Sequence, residues 1–326
     1  MKRTEAVIAE HRGGTSEKKL FIRRPSHKGP FIKDCPCSPG AVSCGYSNAN
    51  LQTGCLYRCS YCILQEYLDT LEPVFFRNWL SLDRELASLA ATTPHLRLGT
   101  GELSDSLVFE DLAPRAQKTI DLFQRHHRIV FEFKTKSTRI KALLSRKKAE
   151  PNIVVSWSLN PAAIIRGEET GTPPLQERLR AMAAIQAKGY RIGIHFDPLI
   201  MFSGWRDRYK ELVDAIAYIL DPDRLAWWSL GALRFSPALK PHLFVRKRTI
   251  LFSGELVPGF DGKYRYFKPL RIELFCIIKR MIEYRFGNEL PLYLCMEDKE
   301  TWGEVFPGIL PDTGKINRRL YEAVFR

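Results

Sequence analysis

The chain alternates two hydrophobic rhythms over much of its length. Short apolar runs of strand character occur at His95–Thr100, Ile129–Thr135, Ile153–Leu159, Tyr190–Phe196 and Leu225–Leu233. Between them, Trp79–Ala91, Leu107–His126, Leu175–Lys188 and Arg208–Leu220 repeat their apolar positions at helical spacing. The third of these follows Thr172-Pro173-Pro174, which predicts a Thr cap and Pro in the first turn. Strand followed by helix, repeated, predicts a parallel sheet with crossover helices. A full or partial (β/α) barrel and an open doubly wound sheet both fit this pattern. Beyond Leu233 the alternation stops. Thr249–Lys268 predicts a hairpin around Pro258-Gly259 and Asp261-Gly262, followed by a helix at Pro269–Phe286 and a short strand at Leu290–Met296.

Composition narrows the class. The 326 residues suffice for one large domain or two ordinary ones, and 45% hydrophobic against 26% charged residues predicts a packed, ordered chain. Lys and Arg number 50 against 36 Asp and Glu, a net charge of +14. That excess suits a polyanionic partner such as nucleic acid; a basic surface without one is the plainer reading. No apolar run is long enough to span a membrane, and the first residues lack the apolar core of a secretory signal. A cytoplasmic location follows as the expectation, with metal or catalysis favoured over disulfides for the eight cysteines.

Six of those cysteines lie between Cys35 and Cys62; Cys276 and Cys295 stand in apolar stretches and read as buried small hydrophobes. Cys55-Leu-Tyr-Arg-Cys59-Ser-Tyr-Cys62 has the form C-x3-C-x2-C. Three soft thiolates on one loop select an iron–sulfur cluster or zinc, and a closed zinc site wants a fourth ligand. The spacing, with the aromatic Tyr61 before the last cysteine, resembles that of radical SAM enzymes. In those enzymes a [4Fe–4S] cluster with one open iron binds S-adenosylmethionine (SAM) and cleaves it to a 5′-deoxyadenosyl radical. The resemblance implies a partial (β/α)6 TIM-type barrel with the cluster loop after its first strand. Residues at the C-terminal ends of the strands then matter: Gly99-Thr100-Gly101-Glu102, Lys136, Ser158, Asn160, His195 and Asp197.

The likeness extends further. Thr53–Gln65 (TGCLYRCSYCILQ) resembles the cluster segment of spore photoproduct lyases, which reverse a thymine–thymine photoproduct in DNA. Phe133–Ser137, Val154–Asn160, Glu169–Arg178, Ala187–Asp197, Gly204-Trp205 and Leu233–Phe235 are similar to the same family in order and spacing. The resemblance implies that Cys55, Cys59 and Cys62 hold the cluster, and that the backbone near Tyr61 faces SAM. It implies SAM contacts for Ser104, Lys136 and Ser158. It also gives Glu102 to the SAM amino group, where a helix-terminal acid is the competing reading. Lys136 has an ordinary surface lysine as its alternative, and His195 a satisfied core histidine. The organisation expected is a basic N-terminal arm (1–30), a partial barrel (31–240) with its cysteine-rich segment (35–62), and a C-terminal hairpin and helix extension (241–326).

Two departures bear on the reaction. Spore photoproduct lyases return hydrogen to the product from a cysteine just after the second barrel strand; here Gly101-Glu102-Leu103-Ser104-Asp105 has none. They also carry a tyrosine after the third cluster cysteine, where this chain has Ile63. Cys35, Cys37 and Cys44 are candidate substitute donors, ligands of a second metal, or unliganded thiols. The run Lys263-Tyr264-Arg265-Tyr266-Phe267-Lys268 interleaves basic and aromatic residues, and Arg246-Lys247-Arg248 precedes it. These read as DNA contacts, with a half-exposed strand as the alternative. The expectation is a radical SAM lyase of the photolesion-repair type, probing DNA and fed by an electron donor such as a flavodoxin or ferredoxin. Its competitors are a radical SAM enzyme on RNA, peptide or metabolite, and a metal-binding nucleic-acid-binding protein without catalysis.

Overall fold

The computed structural model describes residues 6–13, 16–244 and 249–326. Its centre is an eight-stranded sheet. Seven strands run parallel: β1 (Tyr46–Ala49), β2 (Arg97–Gly99), β3 (Val130–Thr135), β4 (Ile153–Ser158), β5 (Arg191–Leu199), β6 (Leu225–Ala232) and β7 (Leu292–Leu294). They lie side by side in chain order, and Ile32–Asp34 pairs antiparallel to β1 at one edge. The sheet curls into an open half-barrel. Helices Trp79–Thr92, Ala116–Arg125, Leu175–Lys188, Trp205–Ile219 and Lys268–Phe286 make the crossovers. No described helix is long and apolar enough to cross a membrane.

Burial explains the strand sequences. Every residue of β4 and of β6 is buried, so both read as continuous apolar runs, as parallel strands covered on both faces do. Trp157, Trp227 and Trp228 are among the largest fully buried side chains, and the consecutive Trp227 and Trp228 fill opposite faces of the sheet. Close approach also dictates glycine. A Cβ on Gly99 would stand 2.8 Å from the Glu132 carbonyl oxygen and collide with the Tyr46 hydroxyl, so β1, β2 and β3 can pack here only around glycine.

Four expectations change. The segment expected to be helical over Leu107–His126 is helical only from Ala116. Leu107, Val108 and Phe109 are apolar for another reason: they are buried in the loop before Pro114. Thr172 does not cap the helix after it; its hydroxyl donates to the Glu169 carbonyl at 2.7 Å and accepts from Arg178 at 2.6 Å. The boundary at residue 240 falls within one sheet, because β7 from the C-terminal segment pairs with β6. The expected basic arm contains two antiparallel strands, Ala6–Gly13 and Ser16–Arg23. Arg23 of the second pairs with Val74 beside the cluster loop.

A small apolar cluster lies outside the main core and carries that loop. Ile22, Tyr57, Phe75, Val108 and Phe109 are buried together, with Cys55, Leu56, Tyr61 and Cys62 packed on them.

Gly99→Ala is expected to destabilise the protein by about 1–3 kcal/mol through overpacking. Adding Tyr46→Phe should recover part of the loss. Thermal unfolding reads both, and an unchanged Tm in G99A would show that the three strands do not need this approach.

Candidate active site

The C-terminal ends of the parallel strands open into a cavity of about 340 Å³, within the range of small-molecule sites. A wider groove of about 840 Å³ lies at the opposite ends of the strands, beside Pro151, Arg191, Leu225 and Pro291, and no cysteine lines it. The chemistry-bearing residues converge on the first. Cys55, Cys59, Cys62, Tyr61, Glu102, Ser104, Lys136, Ser158, His195 and Asp197 all line it.

The cysteine loop is held by backbone and by one amide. Cys62 N–H donates to the Cys59 carbonyl at 3.2 Å, and Gln65 Nε2 reaches the carbonyls of Cys59, Ser60 and Cys62 at 2.9–3.3 Å. Arg58 and Cys59 pair antiparallel with Thr170 and Glu169. Burial pushes all three thiols upward; Cys59 reaches about 12, against which Lys136 pulls down. Among the described residues, no three His, Cys, Asp or Glu converge on one metal ion. Three free thiols on one loop, one for each of three irons, fit a cubane cluster rather than a tetrahedral zinc.

Beside the loop lies a buried ionic group. Glu169 accepts from the Tyr61 hydroxyl at 2.5 Å, Asn160 Nδ2 at 3.0 Å and Arg178 at 2.6 Å. Burial alone would raise the Glu169 carboxyl; Lys136 and Arg178 hold it below its ordinary value. Burial likewise opposes the Lys136 ammonium, but Glu169 and then Cys59 raise it. Its Nζ stands 5.8 Å from the Tyr61 ring centre, so Lys136 is part of the cavity wall and not a loose surface lysine. Asn160 is different: its amide is engaged by Glu169 and by the Tyr209 hydroxyl at 3.0 Å, and it lies behind the wall. The expected cofactor contact at Asn160 is therefore corrected to a support of Glu169.

A second polar line crosses the cavity floor. His195 Nε2 is 2.7 Å from Glu132 Oε1 and its Nδ1 is 2.6 Å from Ser229 Oγ. Burial and then Lys134 lower the His195 pKa, while burial is outweighed at Glu132, which His195 holds down at about 2. We assign a neutral ring donating from Nε2 to ionised Glu132 and accepting from Ser229. Asp197 pairs with Arg234 at 3.0 Å, and Arg234 also reaches Cys295 Sγ at 3.7 Å.

Sequence reasoning missed several lining residues. Asp105 accepts from Thr135 Oγ1 at 2.5 Å and Lys136 N–H at 2.6 Å, fixing the exit of β3. Arg234 and Cys295 reach the same cavity from distant segments. The aspartate beside Ser104 and the arginine after β6 were legible as polar residues at strand exits; Cys295 carried no such signal.

The predicted DNA ribbon forms a hairpin, Leu256–Pro258 with Tyr264–Tyr266. Two of its assigned contacts are corrected. Arg265 is fully buried between Asp261 at 2.6 Å and Glu297 at 3.4 Å, and Tyr266 is buried with its hydroxyl accepting from Met201 N–H at 2.9 Å. Consecutive in the strand, they point to opposite faces of it, and both faces are covered there. Lys263 lines the cavity, Tyr264 stacks on Phe235 at 5.6 Å, and Lys268 pairs with Asp298 at 3.4 Å. Phe260, at the hairpin turn, is 47% exposed. Arg246, Lys247 and Arg248 lie outside the described residues.

Arg178→Met should cost about 3–5 kcal/mol in urea unfolding, because it strips a buried carboxylate of its nearest cation. The double variant with Glu169→Gln should recover much of that, and equal losses in both would show that the pair is not coupled. Glu132 is held below its ordinary carboxyl value, so its contribution is present above about pH 4.5 and is lost as pH falls towards about 2. The stability deficit of Glu132→Gln should therefore be full at neutral pH and shrink on acidification; a deficit constant with pH would refute the assignment.

Comparison with known proteins adds an independent line. A sequence model of the family described as spore photoproduct lyase matches residues 39–235. The spore photoproduct lyase of Bacillus subtilis (strain 168) is 26% identical over 176 residues, 52% of this chain and 51% of that protein. The one from Geobacillus sp. (strain Y412MC61) is 27% identical over 222 residues, 67% and 61% respectively. The matches thus span about half to three fifths of these relatives' length. A solved structure of a doubly substituted spore photoproduct lyase with bound AdoMet and dinucleoside spore photoproduct superposes with a TM-score of 0.71. It is 22% identical and covers 85% of this chain and 82% of that one, which establishes the shared fold.

Proposed function

Because the chain belongs to the spore photoproduct lyase family, we propose that it is a radical SAM lyase that reverses a thymine photoproduct in DNA. The observation that carries this is the convergence of Cys55, Cys59 and Cys62 with Ser104, Lys136 and Ser158 on one cavity at the C-terminal ends of the strands.

In this reading the three cysteines hold a [4Fe–4S] cluster, and SAM lies against Tyr61, Glu102, Ser104, Lys136 and Ser158. When bound, the two groups supply a hydrogen-abstracting radical inside the cavity. The chain's own residues position and shield. The Glu102 carboxylate, with Lys33 nearby, suits the ammonium of SAM. The Lys136 ammonium supplies a fixed positive charge beside the thiols. Neutral His195, held between Glu132 and Ser229, presents a rigid polar floor. Asp197, pinned by Arg234, keeps its charge where substrate enters.

A lesion inside a duplex reaches such a cavity only if it leaves the stack. Lys263 and Tyr264 on the hairpin, with Phe260 at its turn, are the contacts we assign to the displaced strand. The initiating electron comes from a carrier of the flavodoxin or ferredoxin type. A cytoplasmic setting keeps the thiols reduced.

The test is anaerobic reconstitution. The protein should hold about four irons per chain, form 5′-deoxyadenosine on reduction with SAM, and convert dinucleoside spore photoproduct to its thymine products. Cys59→Ala should lose the iron and both activities. SAM consumed with the photoproduct untouched would overturn the lesion substrate; no 5′-deoxyadenosine from iron-loaded protein would overturn the enzyme.

A further inference from the structure

The cavity carries a second set of thiols that the cluster does not use. Cys35 and Cys44 line it from the cysteine-rich segment and Cys295 from the exit of β7. The segment is tied in place from two sides. Cys35 N–H donates to the Tyr46 carbonyl at 2.9 Å, and Val42 N–H to the Glu297 carbonyl at 2.8 Å. Ser38 accepts from Lys263 Nζ of the hairpin at 3.0 Å. Within it, Cys37 N–H donates to the Cys35 carbonyl at 2.7 Å, folding Cys35-Pro36-Cys37 into a tight turn. The turn brings the two thiols within range of each other, and the interaction between them is the largest influence on the ionisation of each.

The two sulfurs are unlike. Cys35 lines the cavity; Cys37 does not, and stands behind it. The Cys35 thiol lowers Cys37 to about 6 against the cost of burial, with Ser43, Arg234 and Lys263 adding to it. The same interaction and burial raise Cys35. A thiol thus faces the cavity with a thiolate against its back. No metal geometry is present here among the described residues.

Building on the lyase reading, we propose that Cys35 and Cys37 form a dithiol that returns hydrogen to the substrate radical and is oxidised to a disulfide in doing so. The Cys35 S–H bond breaks and a C–H bond forms on the product, leaving a sulfur radical. The adjacent Cys37 thiolate adds to it, giving a disulfide radical anion. One electron then passes to a one-electron acceptor of the flavodoxin or ferredoxin class, leaving the neutral disulfide. A dithiol reductant supplies two electrons and one net proton to restore Cys35 as thiol and Cys37 as thiolate. Each turnover therefore consumes one SAM and one dithiol, because no tyrosine follows Cys62 to pass the radical back.

Two measurements on the reconstituted protein test this. The first equilibrates it against a reduced-to-oxidised dithiothreitol series, with alkylation and peptide mass spectrometry. A Cys35–Cys37 disulfide should appear in wild type and in Cys276→Ser, and be lost in Cys35→Ala and Cys37→Ala. The second is a single turnover on dinucleoside spore photoproduct in D2O with no added thiol. Product should carry one solvent deuterium, 5′-deoxyadenosine should match it one to one, and the disulfide should rise in the same proportion. Cys37→Ser should keep SAM cleavage and lose the disulfide, with product per chain falling at least severalfold once dithiothreitol is supplied for repeated turnover. Photoproduct reversed with both thiols intact would overturn the dithiol and leave the lyase reading standing. SAM cleaved without reversal, beside an intact Cys35–Cys37 transition, would overturn the lyase reading and this step with it.

Discussion

Glu169 sits where the cysteine loop crosses the exit of β4, and its two oxygens take the Tyr61 hydroxyl, the Asn160 amide and the Arg178 guanidinium. Its backbone pairs with Cys59. A carboxylate buried this deeply is tolerated only because both oxygens are hydrogen-bonded and two cations stand by. The consequence reaches the thiols. Arg178 pairs directly with Glu169, and the Lys136 ammonium, held by Glu169 and Asp105, also acts on Cys59. A loop whose thiols burial would keep protonated is thereby biased towards the thiolate form that iron requires. Asn160 and Tyr209 belong to the same construction, which is why a residue at a strand end proved to be a brace and not a contact.

Much of the barrel was legible because its strands are buried on both faces. Such strands cannot alternate polar and apolar positions, so Ile153–Ser158 and Leu225–Ala232 announce themselves as short apolar runs. β1 escaped for the opposite reason, and β7 was legible as a short strand but not as a member of the barrel. Tyr46–Ala49 is short and partly polar, and Leu292–Leu294 sits after a long hairpin and helix that break the βα rhythm. Leu107–Phe109 shows the limit of periodicity: apolar residues at helical spacing also serve a loop that must be buried before a proline.

The basic and aromatic ribbon was ambiguous in a way that only partners resolve. Alternation in a strand says that two faces differ, not which face is wet. Here both faces are covered: consecutive Arg265 and Tyr266 point to opposite sides and both are buried, Arg265 against Asp261 and Glu297 and Tyr266 against the backbone of Met201. Cationic residues therefore contribute to the net charge without contributing to a binding surface, and counting them overstates the charge available to a polyanion. Cys295 was hidden likewise. Nothing in its apolar neighbourhood tells that β7 ends at the cavity and sets it against Arg234.

The two absences at the hydrogen-return route and the thiols of the cysteine-rich segment bear on each other. A radical enzyme that cannot hand its unpaired electron back along a chain of donors must dispose of it locally, and a sulfur radical beside a thiolate is a chemically competent sink. That solution needs a thiol open to the substrate, a thiolate withheld from it, and cations to hold the negative charge. Cys35 at the cavity, Cys37 behind it, and Arg234 with Lys263 satisfy those three conditions from three separate segments. The residues that make Cys37 anionic are also those that anchor its neighbourhood, Arg234 to Asp197 and Lys263 to Ser38. The position of the hairpin and the charge of the thiol pair therefore depend on the same residues, so substrate that displaced the hairpin would also change the reactivity of Cys37.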